Sequence, residues 1–221
     1  MSWESSIEYE RLINEEVRRT LGGNTSADLI IRSYNFAEVE ALQEASDWDA
    51  AGAMLAQDAV LLEDAGAEII VLCTNTMHEV AQTIESALGE TQFLHIADVV
   101  GDAIEEAGLT TVALLGTRYT MERQFYRDRL EQRGITTMIP DEPDRSMIND
   151  VIFDELVRGK IVSESRMEYR RVATNLVSAG AEGIIAGCTE IELLIGSDDV
   201  SVPYFPSTRL HARAAVKASL A

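Results

Sequence analysis

Hydrophobic positions along the chain alternate between two periods. Tyr9, Leu12, Ile13, Val17 and Leu21 recur at helical spacing. Ser5 followed by Glu8 has the form of a capping box opening that helix, and Gly22-Gly23 stops it. Leu29-Ile30-Ile31 predicts a short strand. A longer helix is predicted from about Asp49 to Ala65, with Leu55, Ala59 and Leu62 on its buried stripe, followed by a strand over Ile69–Cys73. A helix from about His78 to Leu88, a strand at Phe93–Ile96 and a helix from Val99 to Ala107 continue the alternation. The order then resumes. Strand Thr111–Leu115 runs into Gly116-Thr117 and a helix from about Met121 to Arg133, and strand Thr136–Ile139 ends at Pro140. Helices near Arg145–Leu156 and Glu164–Ala179 precede strand Ile184–Gly187, and a last strand, Val202–Phe205, hands over to a helix from about Arg209. Strands separated by helices of about 10 to 17 residues predict an α/β fold with parallel sheets flanked by helices.

Two stretches nearly repeat one another. Ala65-Gly66-Ala67-Glu68-Ile69-Ile70-Val71-Leu72-Cys73-Thr74-Asn75 is echoed by Ala179-Gly180-Ala181-Glu182-Gly183-Ile184-Ile185-Ala186-Gly187-Cys188-Thr189-Glu190. Each closes an apolar run on one of the chain's two cysteines, and small polar residues follow. A duplicated half-domain would carry one cysteine to each side of a cleft, and two opposed thiols suit an enzyme that exchanges protons. The expected organisation is two pseudo-symmetric lobes, residues 1–97 plus 208–221 and residues 98–207, with the ligand cleft between them. The repeat is imperfect at its start. The second half begins with the strand Val112-Ala113-Leu114-Leu115, but no matching strand precedes Ser2, so a first strand is expected to lie upstream of Met1 or to be missing.

Charge narrows the partners. Thirty-eight acidic residues face 18 basic ones for a formal net charge of −20, and only Lys160 and Lys217 are lysines. Such a surface repels phosphate backbones and anionic membranes, so neither nucleic acid nor a membrane is an expected partner. Acidic excess with scarce lysine suggests a salt-rich cytoplasm, where self-repulsion is screened; the alternative is an ordinary acidic bacterial enzyme. The N-terminus has no basic start or apolar h-region, which makes the cytoplasm the default location and leaves both cysteines as thiols. There is no Cys-x-x-Cys pair and no cysteine–histidine cluster at ligand spacing, so neither a metal site nor a thiol-redox role is expected. His78 reads as a helix-opening residue, His95 as a core histidine, and His211 as a packing or capping residue.

The sequence resembles the aspartate/glutamate racemase superfamily, and within it the branch of broad-specificity amino acid racemases. The resemblance is carried by Met1-Ser2-Trp3-Glu4-Ser5, Leu72-Cys73-Thr74-Asn75-Thr76-Met77-His78, Leu94-His95-Ile96-Ala97-Asp98, Leu114-Leu115-Gly116-Thr117-Arg118-Tyr119-Thr120-Met121 and Gly187-Cys188-Thr189-Glu190-Ile191. It implies a cofactor-independent racemase acting on a small-molecule amino acid, usually as a homodimer. It also implies Cys73 and Cys188 as the two bases, with Thr74, Asn75, Thr117 and Thr189 binding the ligand. Met1 and Gln43 match positions that this branch places near the ligand, and Glu190 is expected either to accept the α-ammonium or to cap the following helix. Family members usually carry a strand ending in Gly-Gly just before the position of Met1.

Chemically, a thiolate takes the α-proton from one face of the amino acid while a thiol delivers one to the other. Helix starts after each strand are expected to lower the thiol pKa and to hold the substrate carboxylate. Aspartate-specific relatives carry basic residues for the side-chain carboxylate. Here those places read Tyr34-Asn35-Phe36-Ala37-Glu38 and Val157, with Arg158 one residue away, so strict aspartate specificity is not expected. Pro206-Ser207-Thr208 likewise stands where relatives often have Asp-Thr. Rival expectations are a decarboxylase or cis–trans isomerase of small dicarboxylates on the same scaffold, or an inactive, truncated amino-acid-binding protein.

The charge balance makes a direct prediction. Unfolding midpoints should rise as KCl is added to dilute buffer, and a midpoint unchanged at low salt would favour the ordinary acidic surface.

Overall fold

The computed structural model describes residues 2–221. Helix α1 (Trp3–Leu21) is capped by Ser2, whose Oγ accepts from the Ser5 amide at 3.1 Å. The cap therefore lies one turn before the expected Ser5–Glu8 box. Ser5 is already inside the helix with its hydroxyl 3.0 Å from that of Ser2, and Glu8 pairs with Arg11 instead. Gly22, at φ 74°, ends the helix by donating to Arg18 O, a left-handed turn that costs glycine little. The buried stripe of α1 (Tyr9, Leu12, Ile13, Val17) packs on Ala212 and Val216 of the C-terminal helix.

The chain divides into two compact units: residues up to His95 with His211–Ala221, and Ile96–Leu210. In the first, α2 (Phe36–Glu44) escapes sequence reading because only Val39 and Gln43, four residues apart, are buried in it. Helix α3 (Trp48–Asp64) is capped by Asp47 and buries Ala51, Leu55 and Ala59. Strand β1 (Ile69–Val71) leads through Cys73 to a 3-10 turn over Thr76–Val80, then α4 (Ala81–Ala87) and β2 (Gln92–Leu94). The helix expected from His78 opens as this tighter turn because the His78 amide closes a three-residue bond onto Asn75 O at 3.1 Å. Strands β1 and β2 pair in parallel, Ile69 opposite Gln92 and Val71 opposite Leu94.

The predicted strand at Leu29-Ile30-Ile31 does not form a ladder. These residues stay 39–53% exposed beside a cavity of about 640 Å³ lined by Ile13, Val17, Leu29, Ile31, Ile70 and Val216. A strand is stable only when its backbone donors and acceptors are paired, and among the described residues nothing lies between this segment and β1 to pair with them.

The second unit carries α5 (Ile96–Glu106), β3 (Thr111–Gly116), α6 (Arg118–Glu122), α7 (Gln124–Glu131), β4 (Thr136–Met138), α8 (Asp144–Asp154), α9 (Ser163–Ser178), β5 (Gly183–Gly187), α10 (Ile191–Leu194) and β6 (Tyr204–Pro206). It also holds the first turn of α11 (Ser207–Ser219). One helix was expected from Met121 to Arg133. Two form instead, because Arg123 takes an extended backbone at ψ 152°. The four strands form one parallel sheet in the order β4-β3-β5-β6.

Side chains of β3 and β5 alternate between two cores. Ala113, Leu115, Ile184 and Ala186 pack with Ile148, Ile152, Tyr169 and Val172, while Val112, Leu114 and Ile185 pack with Val100, Ile104, Tyr126 and Leu130. Both faces are covered by helices, as parallel strands require, and this explains why β3 and β5 read as unbroken apolar runs. Leu114 is fully buried and belongs to a strand paired on both sides. Leu114→Ala should therefore cost about 2–5 kcal/mol in chemical denaturation.

Candidate active site

Strands β3 and β5 run side by side to a final register pair, Gly116 opposite Gly187. Both positions need glycine for close approach. A Cβ on Gly187 would stand 2.7 Å from Leu114 Cδ1 and 3.0 Å from Leu115 O, and one on Gly116 would stand 3.1 Å from Gly187 O. Thr117 and Cys188 consequently leave the carboxyl edge of the sheet as neighbours, at the edge where open parallel sheets bind ligands.

Cys188 is buried, and its thiol donates to Glu190 Oε2 at 3.1 Å. Burial and then the Glu190 carboxylate push this thiol well above its ordinary range, against the pull of the Glu190 and Ile191 amides. Helix starts were expected to lower the thiol pKa. Here the following helix has only four residues, too short for its dipole to outweigh desolvation and a neighbouring carboxylate. Glu190 makes no side-chain cap bond to α10; its carboxylate is occupied by the Cys188 thiol. Thr189 is 4% exposed. Thr117 Oγ1 accepts from the Thr120 amide at 3.3 Å and so caps α6. Ser207 donates its hydroxyl to Ala186 O at 2.6 Å and ties the start of α11 to β5.

In the first unit, Cys73 lies two residues beyond β1 and its thiol donates to Val71 O at 3.5 Å. Burial pushes it up to about 11. Thr74 and the buried Asn75 follow it into the 3-10 turn. Gln43, 4% exposed, reaches this turn from α2 by donating Nε2 to Met77 Sδ at 3.0 Å. Thus Cys73, Thr74, Asn75 and Gln43 share one neighbourhood, and Thr117, Cys188, Thr189 and Glu190 share the other. Met1 lies outside the described residues. Both cysteines are thiols rather than disulfide partners.

Sequence reasoning missed two features. The chain's three histidines meet in one buried cluster. His78 is edge-on to His95 with ring centroids 4.5 Å apart and lies 5.9 Å from His211. Periodicity carries no signal for this, since the three come from separate elements. The second is Glu192, one turn beyond Cys188, which accepts from the Thr208 amide at 2.7 Å. Burial pushes its carboxyl up to about 7. Among the described residues no group of three or more His, Cys, Asp or Glu is arranged to hold a metal, and no helix is long and apolar enough to cross a membrane.

The model of the Asp/Glu/hydantoin racemase family matches residues 1–215. The chain belongs to this family. A Yersinia pestis crystal structure, provisionally designated an Asp/Glu racemase, is 50% identical, with 100% of this chain and 96% of that one covered at a TM-score of 0.93. An aspartate racemase homologue from Pyrococcus horikoshii is 32% identical, with 99% and 95% covered at a TM-score of 0.83. An uncharacterised protein of Pectobacterium carotovorum is 31% identical over 104 residues, 47% of this chain and 68% of its own. Family membership makes an isomerase the enzyme class these relatives support.

The histidine cluster gives this family member a defined acid response. His211 Nε2 donates to Leu94 O at 2.8 Å, a carbonyl that can only accept. Its Nδ1 therefore accepts from Tyr9 Oη, also at 2.8 Å. Burial pushes the imidazole down from 6.5 to about 4. The unfolded chain thus binds this proton first, so the stability His211 contributes is present above about pH 6.5 and is lost as pH falls towards 4. The loss is about 3 kcal/mol. Denaturant midpoints should fall across that window, and less steeply in His211→Gln; equal slopes would remove His211 as the source.

Proposed function

We propose that the protein is a cofactor-independent amino acid racemase in which Cys73 and Cys188 exchange protons at the α-carbon. The observation that carries this reading is the doubled arrangement: in each half of the chain a parallel strand delivers a non-disulfide cysteine beyond its carboxyl end. One thiolate removes the α-proton, the carboxylate takes up the resulting enediolate charge, and the opposite thiol protonates the other face. Cys73 is held high by burial alone, whereas Cys188 has a carboxylate neighbour as well. In this reading the thiol hydrogen-bonded to a carboxylate, Cys188, serves as proton donor and Cys73 as base. Backbone amides around Thr74, Asn75 and Thr189, with the Thr117 loop, receive the substrate carboxylate and stabilise the developing charge.

Substrate choice follows from what surrounds the two expected carboxylate grips. Arg158 forms an exposed pair with Asp154 at 3.3 Å, and Val157 packs against the core. The other place, Tyr34–Glu38, holds no basic residue, and the nearby Arg32 is engaged by Asp58 and lies over the Tyr34 ring. With these cations already committed elsewhere, the reading is a racemase not restricted to aspartate, acting on a small or polar amino acid. A cytoplasmic homodimer, whose reducing surroundings keep both thiols reduced, completes it.

Deuterium should enter the α-position of at least one amino acid in a panel incubated in heavy water. Cys73→Ser and Cys188→Ser should each lower racemisation by at least about 100-fold. Because both thiols are raised, kcat/KM should climb with pH beyond about 8.5. Absence of exchange with every amino acid would reject the reading. Carbon dioxide released from a malonate, or isomerised maleate, would assign the site to dicarboxylate chemistry instead.

A further inference from the structure

We infer that His78 is a positioning residue that orients the Thr74–Asn75 peptide beside Cys73. His78 Nδ1 lies 2.7 Å from Thr74 O. A carbonyl only accepts, so the imidazole donates from Nδ1. In a trans peptide the carbonyl and the following amide point in opposite directions. With Thr74 O drawn towards His78, the Asn75 N–H is directed to the side away from the imidazole, where a ligand carboxylate at Cys73 would need a donor.

The ring itself has little freedom. It is 2% exposed and packed against Phe93, His95 and His211 at centroid distances of 5.7, 4.5 and 5.9 Å. His211 is in turn pinned at both nitrogens by Tyr9 and Leu94. The Cys73 loop is therefore held from behind by a wedge drawn from the 3-10 turn, from the end of β2, and from α11, which Tyr9 of α1 steadies. The hydrogen bond matters because the loop has little regular structure of its own. Between β1 and the 3-10 turn the backbone is tied by the Thr74 amide to Leu72 O at 2.7 Å, and His78 supplies a bond to Thr74 O within the same stretch.

This inference rests on the racemase reading for its catalytic consequence, but its geometry can be tested without it. Two variants separate the donor from the ring. His78→Asn keeps a donor at nearly the same distance from the backbone and loses the ring; His78→Phe keeps the ring and loses the donor. Positioning predicts that the Asn variant, though less stable, keeps kcat within a few-fold of wild type, and that the Phe variant loses about 10- to 100-fold in kcat despite normal stability. A purely structural role predicts activity that follows the unfolding midpoint, and that result would overturn the inference.

A second readout is iodoacetamide alkylation of Cys73, followed by peptide mass spectrometry on the full-length protein. Releasing the loop exposes the sulfur, so alkylation should accelerate roughly 3- to 10-fold in His78→Phe and stay at the wild-type rate in His78→Asn. Equal alkylation in both variants would also overturn it. Wild-type protein that exchanges no amino acid, yet shows this alkylation contrast, would reject the racemase reading and leave the positioning role standing.

Discussion

The close approach of β3 and β5 at Gly116 and Gly187 is the constraint on which the second half of the molecule depends. A methyl group at either glycine would meet backbone or a packed leucine at 2.7–3.1 Å, so the two strands can run together to their carboxyl ends only as glycines. That shared ending sets Thr117 and Cys188 beside one another and points both out of the sheet. The helices on the two faces then have only to fill space, and the alternation of Val112, Ala113, Leu114 and Leu115 between two cores shows how fully they do so.

Burial explains the electrostatic character of both cysteines. Desolvation dominates each thiol, buried at Cys188 and half-buried at Cys73, and the short turns after them give too small a dipole to compensate. Glu190, instead of capping α10, accepts a hydrogen bond from the Cys188 thiol and adds to what holds that thiol high.

Most of the architecture was legible from apolar periodicity, because parallel strands buried on both faces and helices with one buried stripe leave clear patterns. The misses have local physical causes. Helix α2 shows only two buried positions, and the turn at Thr76–Val80 is tightened by a backbone bond that no side-chain pattern encodes. Leu29–Ile31 has strand-like residues, yet a strand is a property of a pair, and this segment lines a cavity and joins no ladder among the described residues.

Most of the order of elements, the family and the two cysteines with their polar successors were contained in the linear pattern, since each depends on residues close together in the chain. Tertiary structure alone decided what surrounds them. The meeting of His78, His95 and His211, the link from Gln43 to Met77, the bond from Cys188 to Glu190 and the elevated Glu192 carboxyl depend on which backbones pass near one another and how far water is excluded. Neither quantity has a signature along the sequence, because dielectric environment and through-space distance exist only once the chain has folded.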